Sequence, residues 1–403
     1  MILLHTGDWH IGQTFYEYDR KDEHCKFLSW LKMKIHELHA DILLIAGDIF
    51  DNPNPSAESQ KIFYRFLKEV TSENSSLQII LIAGNHDSAA RLEAPNPLLN
   101  EMHVFVKGVI KRKQNGDIDL ADLVIPLKEG EKIAAWCIAV PYLRQGDSIS
   151  SGRNGEGVAG LYRAVYSDFE KKMGKGKSIV MMGHLHVNGA EISEDDRSER
   201  TVVGGLESTR PDIFYSGNIL YTALGHLHKA QRISGRENIW YAGSPLPMSF
   251  SEKNYKHGIN LVEIDENRLK RVERIPFDPP VAVISLPREP RPLNEVIREI
   301  EKLPDGPVDG NSPYLEIKVL ITEPEPSMRY YIEEALQNKS VRLARLAAFS
   351  LAGFSEKRMV TYEELKTLQP LSMAEDVFSD RYGSEMPDEL KTLLQQVIRE
   401  VEL

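Results

Sequence analysis

The sequence is short of the features that would take it out of the ordinary globular class. It has only two cysteines, Cys25 and Cys137, too few for a disulfide framework or a thiolate metal cage. Any resident metal must therefore use His, carboxylate or amide ligands, and a reducing compartment is expected. No apolar run approaches the roughly 20 residues that span a bilayer, which argues against a membrane protein. The opening stretch, Met1-Ile2-Leu3-Leu4-His5-Thr6-Gly7-Asp8, has no basic segment and turns polar early, unlike a secretory signal, so a cytoplasmic enzyme or scaffold is expected. Basic charge is also in deficit: 49 Lys and Arg against 60 Asp and Glu give a net charge of −11, which excludes the whole chain as a basic nucleic-acid clamp but leaves room for a local site. The stretches Lys111-Arg112-Lys113 and Lys171 to Lys177 read as solvated faces.

What is present is a chain of 403 residues, 41% hydrophobic and 27% charged, long enough for two or three domains. The first ~120 residues alternate apolar runs with amphipathic stretches in a βαβαβ order. Strands are predicted at Ile2 to Thr6, Ile42 to Ala46 and Ile79 to Ala83. One helix carries Phe27, Leu28, Leu31, Ile35 and Leu38; the other is capped by Ser56 and carries Ile62, Phe63, Phe66, Leu67 and Val70. Beyond Val104 strands dominate, at Ile133 to Val140, Ser178 to Met182, Leu220 to Leu224, Ile239 to Ala242 and Ile259 to Ile264, with one helix near Glu156 to Met173. A second sheet facing the first, helices outside, gives a four-layer αββα sandwich over residues 1–275. Six prolines between 276 and 292 suggest a semi-rigid linker. Residues 293–350 read as a small α/β capping domain and 351–403 as a helical segment, whose stripe of Met386, Leu390, Leu393, Leu394, Val397 and Val401 suits either its own domain or a docking partner.

Five apolar runs end alike, in a glycine followed at once by a potential metal ligand: Gly7-Asp8, Gly47-Asp48, Gly84-Asn85, Gly183-His184 and Gly225-His226. Any one of these alone reads as an ordinary turn, but the repetition implies a shared need for tight turns at strand ends, where ligands of open α/β sheets bind. With His10 and His228, the set offers carboxylate oxygen, amide oxygen and imidazole nitrogen without sulfur. Such donors suit two borderline divalent ions better than calcium or magnesium, and two ions clamp the attacking and leaving oxygens of a phosphoryl displacement. Asp48 is placed to bridge both. His86 would protonate the leaving oxygen or stabilise charge, oriented by Asp87.

These residues resemble the calcineurin-like metallophosphoesterases, whose ordered motifs D-x-H, G-D, G-N-H-D/E, G-H and G-H-x-H all occur between residues 8 and 228. The segments His5 to Gly12, Ala46 to Asp51 and Tyr241 to Pro247 are similar to the SbcD-type family of nuclease subunits, and that resemblance extends over essentially the whole chain. It implies one Mn²⁺ on Asp8, His10, Asp48 and His228, the other on Asp48, Asn85, His184 and His226, with His86 as the catalytic histidine. It also implies 3′–5′ double-strand exonuclease and single-strand or hairpin endonuclease action in DNA repair and recombination. The partner implied is an SbcC-type ABC ATPase with a long coiled coil, bound through the C-terminal helices, with this chain as a homodimer in a heterotetramer. Gly7 stands where serine is common, and the His184 motif continues to His186, read as a bystander. Trp9 is expected to pack under its loop, and His24, His36, His39 and His103 to be ordinary surface or helix residues. A phosphatase or small-molecule phosphodiesterase on the same fold is the enzymatic alternative. It is disfavoured by Asn52 after Asp51, by Asp87 closing the Gly84-Asn85-His86-Asp87 motif, and by the long chain beyond residue 293. A noncatalytic scaffold would have lost ligands, and none is missing.

Overall fold

The computed structural model describes residues 1–144, 147, 157–191, 209–214, 217–233, 235–265, 267–321, 325–350 and, further on, 374–375, 378–379, 382, 384, 386–387, 390–391 and 393–394. It divides into two compact units, Met1–Pro280 and Val281–Leu403. The segment expected to dock a partner, 351–403, lies mostly outside the described residues. No helix among those described is long and apolar enough to cross a membrane.

The first unit opens with β1 (Ile2–Thr6), a short hairpin of β2 (Thr14–Phe15) and β3 (Tyr18–Asp19), α1 (Lys21–Glu37), β4 (Ile42–Ala46), α2 (Ala57–Glu73) and β5 (Gln78–Ile82). Ser56 caps α2 as expected, its Oγ accepting the Ser59 amide at 3.0 Å. Short helices α3 (Ala89–Glu93) and α4 (Asn96–Leu99) lead to β6 (Val104–Lys107). The chain then forms β7 (Val124–Glu129), β8 (Lys132–Ala139), α5 (Gly157–Met173), β9 (Ile179–His184), β10 (Ile219–Gly225), β11 (Gln231–Arg232), β12 (Ile239–Tyr241), β13 (Gly258–Asp265) and β14 (Arg268–Pro276).

Two six-stranded sheets result, ordered β14-β13-β1-β4-β5-β6 and β11-β12-β10-β9-β8-β7. Period-two alternation explains how they stack. In β4, Leu43 and Ile45 face α1 and α2 in one core, whereas Ile42 and Leu44 join Val180, Met182, Tyr221 and Ala223 of the second sheet in another. A third core packs α5, through Leu161, Val165 and Phe169, onto the outer face of β9 and β10. The αββα sandwich is therefore observed directly. Within it β13, grouped by the sequence with the later strands, instead joins the first sheet antiparallel to β1, pairing Leu4 with Leu261. Sequence periodicity says nothing about which sheet a strand enters, and β14, a charged edge strand with most of its side chains out, escaped it altogether.

In the second unit β15 (Val283–Arg291), α6 (Leu293–Ile300), β16 (Tyr314–Ile321), α7 (Met328–Ala335) and β17 (Arg342–Ser350) build a parallel three-stranded sheet ordered β15-β16-β17. Val296, Ile300, Leu315, Ile317, Val319 and Ile332 form its core. The proline-dense stretch read as a linker, 276–292, thus corrects to the end of one strand and most of another. Proline is tolerated because β15 is an edge strand, and its pairing to β16 breaks between Leu286 and Arg291, around Pro287 and Pro290.

Candidate metal centre

The parallel pairing of β1, β4 and β5 in one sheet and of β9 and β10 in the other sends their carboxyl ends toward one edge of the sandwich. Asp8, Asp48 and the Asn85-His86-Asp87 run follow the first three strands; His184 ends β9 and His226 follows β10. The loops are zipped by backbone bonds, Asp8 N to Gly47 O (2.9 Å) and His10 N to Asp48 O (3.0 Å). Asp8, His10, Asp48 and His226 all hold positive φ, at 53°, 47°, 49° and 102°. Such conformations are uncommon for residues other than glycine and concentrate at functional sites. The glycines before the ligands do not share one cause. Gly47 has φ 91° and a Cβ there would lie 2.3 Å from His184 Nδ1, while one on Gly84 would lie 2.1 Å from Asp48 Oδ1. A Cβ on Gly7 would meet nothing nearer than 3.4 Å, an ordinary contact.

All seven expected ligands converge. Asp48 Oδ2 lies 3.3 Å from His184 Nε2 and 3.7 Å from His10 Nε2, and its Oδ1 accepts the His86 amide at 2.8 Å. Asn85 Oδ1 reaches His184 Nε2 (2.9 Å) and His226 Nδ1 (3.2 Å). Asp8 Oδ1 accepts the His226 amide at 2.9 Å. The His10 ring stands edge-on to those of His86 (4.8 Å) and His228 (5.2 Å). Three sets, Asp8-His10-His228, His10-Asp48-His86 and Asp8-Asp48-His184, bring ligand atoms within 4.8 Å of one another. His186 joins none of them; it is half-buried, and neither of its ring nitrogens hydrogen-bonds.

The surrounding side chains decide which nitrogen each imidazole presents. His184 Nδ1–H donates to Ala46 O at 2.8 Å, leaving Nε2 for the cluster. His228 Nδ1–H donates to Glu252 Oε1 at 3.0 Å, a carboxylate–imidazole pair of the kind that orients metal-binding histidines. Glu252 is fully buried and its other oxygen accepts the Met248 amide at 2.9 Å. Sequence reasoning missed it; the only signal was its place shortly after the Tyr241 to Pro247 motif. The expected partner of His86 also needs correcting. Its Nδ1–H donates to the Asp51 carbonyl at 2.8 Å, whereas Asp87 turns inward to accept the amides of Gly84 (2.9 Å), Phe50 (3.0 Å) and Ile49 (3.2 Å). Asp87 therefore fixes the two loops, and a backbone oxygen orients the histidine. Trp9 packs fully buried among Phe27, Phe63 and Phe66, as expected. His24 departs from expectation: it is buried, with its ring against the carbonyls of Trp9 (3.0 Å) and Arg20 (3.1 Å), beneath the same loop.

Charge in the cluster is unbalanced without a cation. Burial raises the Asp8 pKa, and its Oδ2, like His10 Nε2, has no hydrogen-bond partner. Burial also acts to raise Asp48, but the charge and hydrogen bond of His184, with His10 and His86, hold it well below the usual carboxylate range. Burial alone would lower His184; Asp48 and Asp8 outweigh it and raise the pKa to about 9. His226 is lowered to about 3 by burial and then by His184. A proton on His184 thus occupies ground that a divalent ion would take over, and the orphaned Asp8 and His10 atoms are aimed at the same space. The oxygen and nitrogen donors fit divalent metal.

Residues 1–230 match the calcineurin-like phosphoesterase family, and residues 279–386 match the type 5 capsule protein repressor C-terminal domain. The protein named as the SbcD subunit of nuclease SbcCD in Rhodobacter capsulatus is 34% identical over 357 residues, covering 86% of this chain and 87% of its own length. Proteins of the same name from Escherichia coli strain K12 (29% identical, 96% of this chain and 94% of that one) and Bacillus subtilis (29%, 65% and 66%) align as well. With five motif loops meeting at one sandwich edge and this similarity along most of its length, the chain belongs to the calcineurin-like phosphoesterases and, within them, to the SbcD family of SbcCD nuclease subunits.

Proposed function

We propose that the chain is a two-metal, Mn²⁺-dependent DNA nuclease subunit. The observation that carries this reading is the convergence of Asp8, His10, Asp48, Asn85, His184, His226 and His228, with two ligand atoms left orphaned, in a family whose relatives are named nucleases. One ion would be held by Asp8, His10, Asp48 and His228, the other by Asp48, Asn85, His184 and His226. Bound there, divalent ions supply Lewis acidity to a phosphodiester and lower the pKa of water toward neutrality. The protein's own residues do the rest. His86, its Nδ1–H committed to Asp51, has Nε2 free to give a proton to the leaving oxygen. Asp87 holds the loops that carry His86 and Asp48, and Glu252 keeps Nδ1 of His228 protonated so that Nε2 is the donor atom.

On this reading the relatives' name supplies the partner, an SbcC-type ABC ATPase, and a two-plus-two assembly working on DNA ends and hairpins in the cytoplasm. Residues 293–350 would act as the capping domain and 351–403 as the docking segment; Leu390 and Leu393, 44% and 61% exposed, support an apolar face open to a partner. The acidic net charge agrees with a subunit that leaves much of the DNA grip to that partner. The test is cleavage of circular single-stranded and hairpin DNA by the full chain in Mn²⁺, Mg²⁺ or EDTA, with and without the ATPase. Mn²⁺-dependent cutting that the ATPase stimulates is expected. Intact DNA in every condition alongside hydrolysis of a small phosphodiester would move the assignment to the phosphodiesterase alternative.

A further inference from the structure

The basic residues singled out by sequence are neutralised: Lys111 pairs with Asp122 (3.0 Å) and Glu93 (3.2 Å), and Lys107 with Asp122 (3.1 Å). Two other cations, which no motif contains, lie beside the metal centre with partners of a different kind. The segment after β8 is stitched to the Asn85 loop, Tyr142 N donating to Ala83 O at 2.9 Å, and the Tyr142 ring stands edge-on to His184 at 6.2 Å. Arg144, two residues on and exposed, donates Nη2–H to Asp87 O at 2.9 Å and rests over the Tyr142 ring at 5.8 Å. On the other flank exposed Arg91, in α3, donates to Asn54 Oδ1 and to Pro53 O at 3.4 Å, in the loop whose Asp51 carbonyl orients His86.

Among the described residues, neither guanidinium meets a carboxylate at ion-pair distance. Their partners are carbonyl and amide oxygens and a ring face, which hold each group in place but leave its charge uncompensated. A guanidinium has five N–H donors in a planar fork that matches phosphate, so each keeps donors for a ligand. The metal centre itself is rich in carboxylate, and a polyanionic substrate entering it needs positive charge at the approach.

We propose that Arg144 and Arg91 are phosphate contacts that hold a DNA strand across His86, one on each side of the scissile phosphodiester; the proposal rests on the nuclease reading above. Each arginine braces a loop next to His86 from a different part of the fold, so the pair fixes strand register as well as adding attraction. Such contacts position a strand without reading its sequence, so sequence-tolerant cleavage is expected.

The experiment compares Arg144→Ala, Arg91→Ala and the Lys variants with wild type in Mn²⁺, using the full chain on a single-stranded oligonucleotide and on bis(p-nitrophenyl) phosphate across a salt series. For DNA, kcat/KM is expected to fall about tenfold for each alanine variant, mainly through KM. The slope of log kcat/KM against log salt should flatten by about 0.7 for each arginine removed. The loss on DNA should exceed that on the small diester at least severalfold, and lysine should restore the salt slope. If wild type cuts DNA but the alanine variants keep its KM and salt slope, the contacts are wrongly assigned while the nuclease reading stands. Equal losses on both substrates would make the arginines loop braces only, which also overturns the proposal. If wild type hydrolyses the small diester and never cuts DNA, the nuclease reading falls and takes the contacts with it.

Discussion

The two sheets of the sandwich contribute to the centre unequally. From the first come both carboxylates, the amide and the two histidines next to them, on loops zipped to one another; from the second come only imidazoles, His184, His226 and His228. Asp48 of the first sheet touches His10, His86 and His184, whereas His226 of the second meets Asn85 and, by its amide, Asp8. The carboxylates that need a cation and the imidazoles that share it thus arrive from opposite halves of the inter-sheet core, where Leu44 meets Val180 and Met182. The site exists only in the closed sandwich. Metal binding should accordingly stabilise the packing of the two sheets.

The largest effect should follow from breaking the hub on the first sheet. Asp48→Ala is expected to abolish binding of both ions and reduce hydrolysis to background, while His226→Ala weakens one ion and leaves the other; metal titration by calorimetry separates the two cases. Next comes a change that spares the metals: His86→Ser should keep fold and ion content but lower kcat by about 10²- to 10⁴-fold, and retained turnover would remove the acid role from this residue. Glu252→Ala tests the second sheet's support. Metal affinity should weaken about 10- to 100-fold, with partial recovery in Glu252→Gln.

The smallest effect concerns the seam itself. His5 on β1 is fully buried with Nδ1 2.8 Å from Tyr221 Oη of β10, and burial followed by the Arg274 charge lowers its pKa from 6.5 to about 3. The folded state therefore favours neutral His5. That contribution is complete above the unfolded pKa near 6.5 and is lost as pH falls toward the folded value, amounting to about 2 kcal/mol at pH 5. Denaturation in EDTA at pH 7.5 and pH 5 should show a smaller acid loss for His5→Gln than for wild type, by about that amount.

The sheets also differ in how readable they were. The uniformly apolar runs of β4 and β5 and their Gly-Asp and Gly-Asn ends announce buried parallel strands with ligands at their tips. The same logic found His184, His226 and His228. What sequence could not convey is contact between distant segments or with the backbone. β13 returning to β1 is a pairing across most of the first unit, and periodicity does not encode partners. The group that orients His86 is a carbonyl, which every residue has. Glu252 lies in no motif and is known only by its burial against His228. In the second unit Pro287 and Pro290 suggested a linker because edge strands and extended linkers tolerate proline for the same reason, the missing N–H.

The most direct test of the account is electron paramagnetic resonance of the full chain titrated with Mn²⁺, read together with binding stoichiometry. Two ions per chain with a spin-coupled signal, lost in Asp48→Ala, is the expected result. A single ion, or two that give only uncoupled signals, would contradict a shared centre assembled from both sheets.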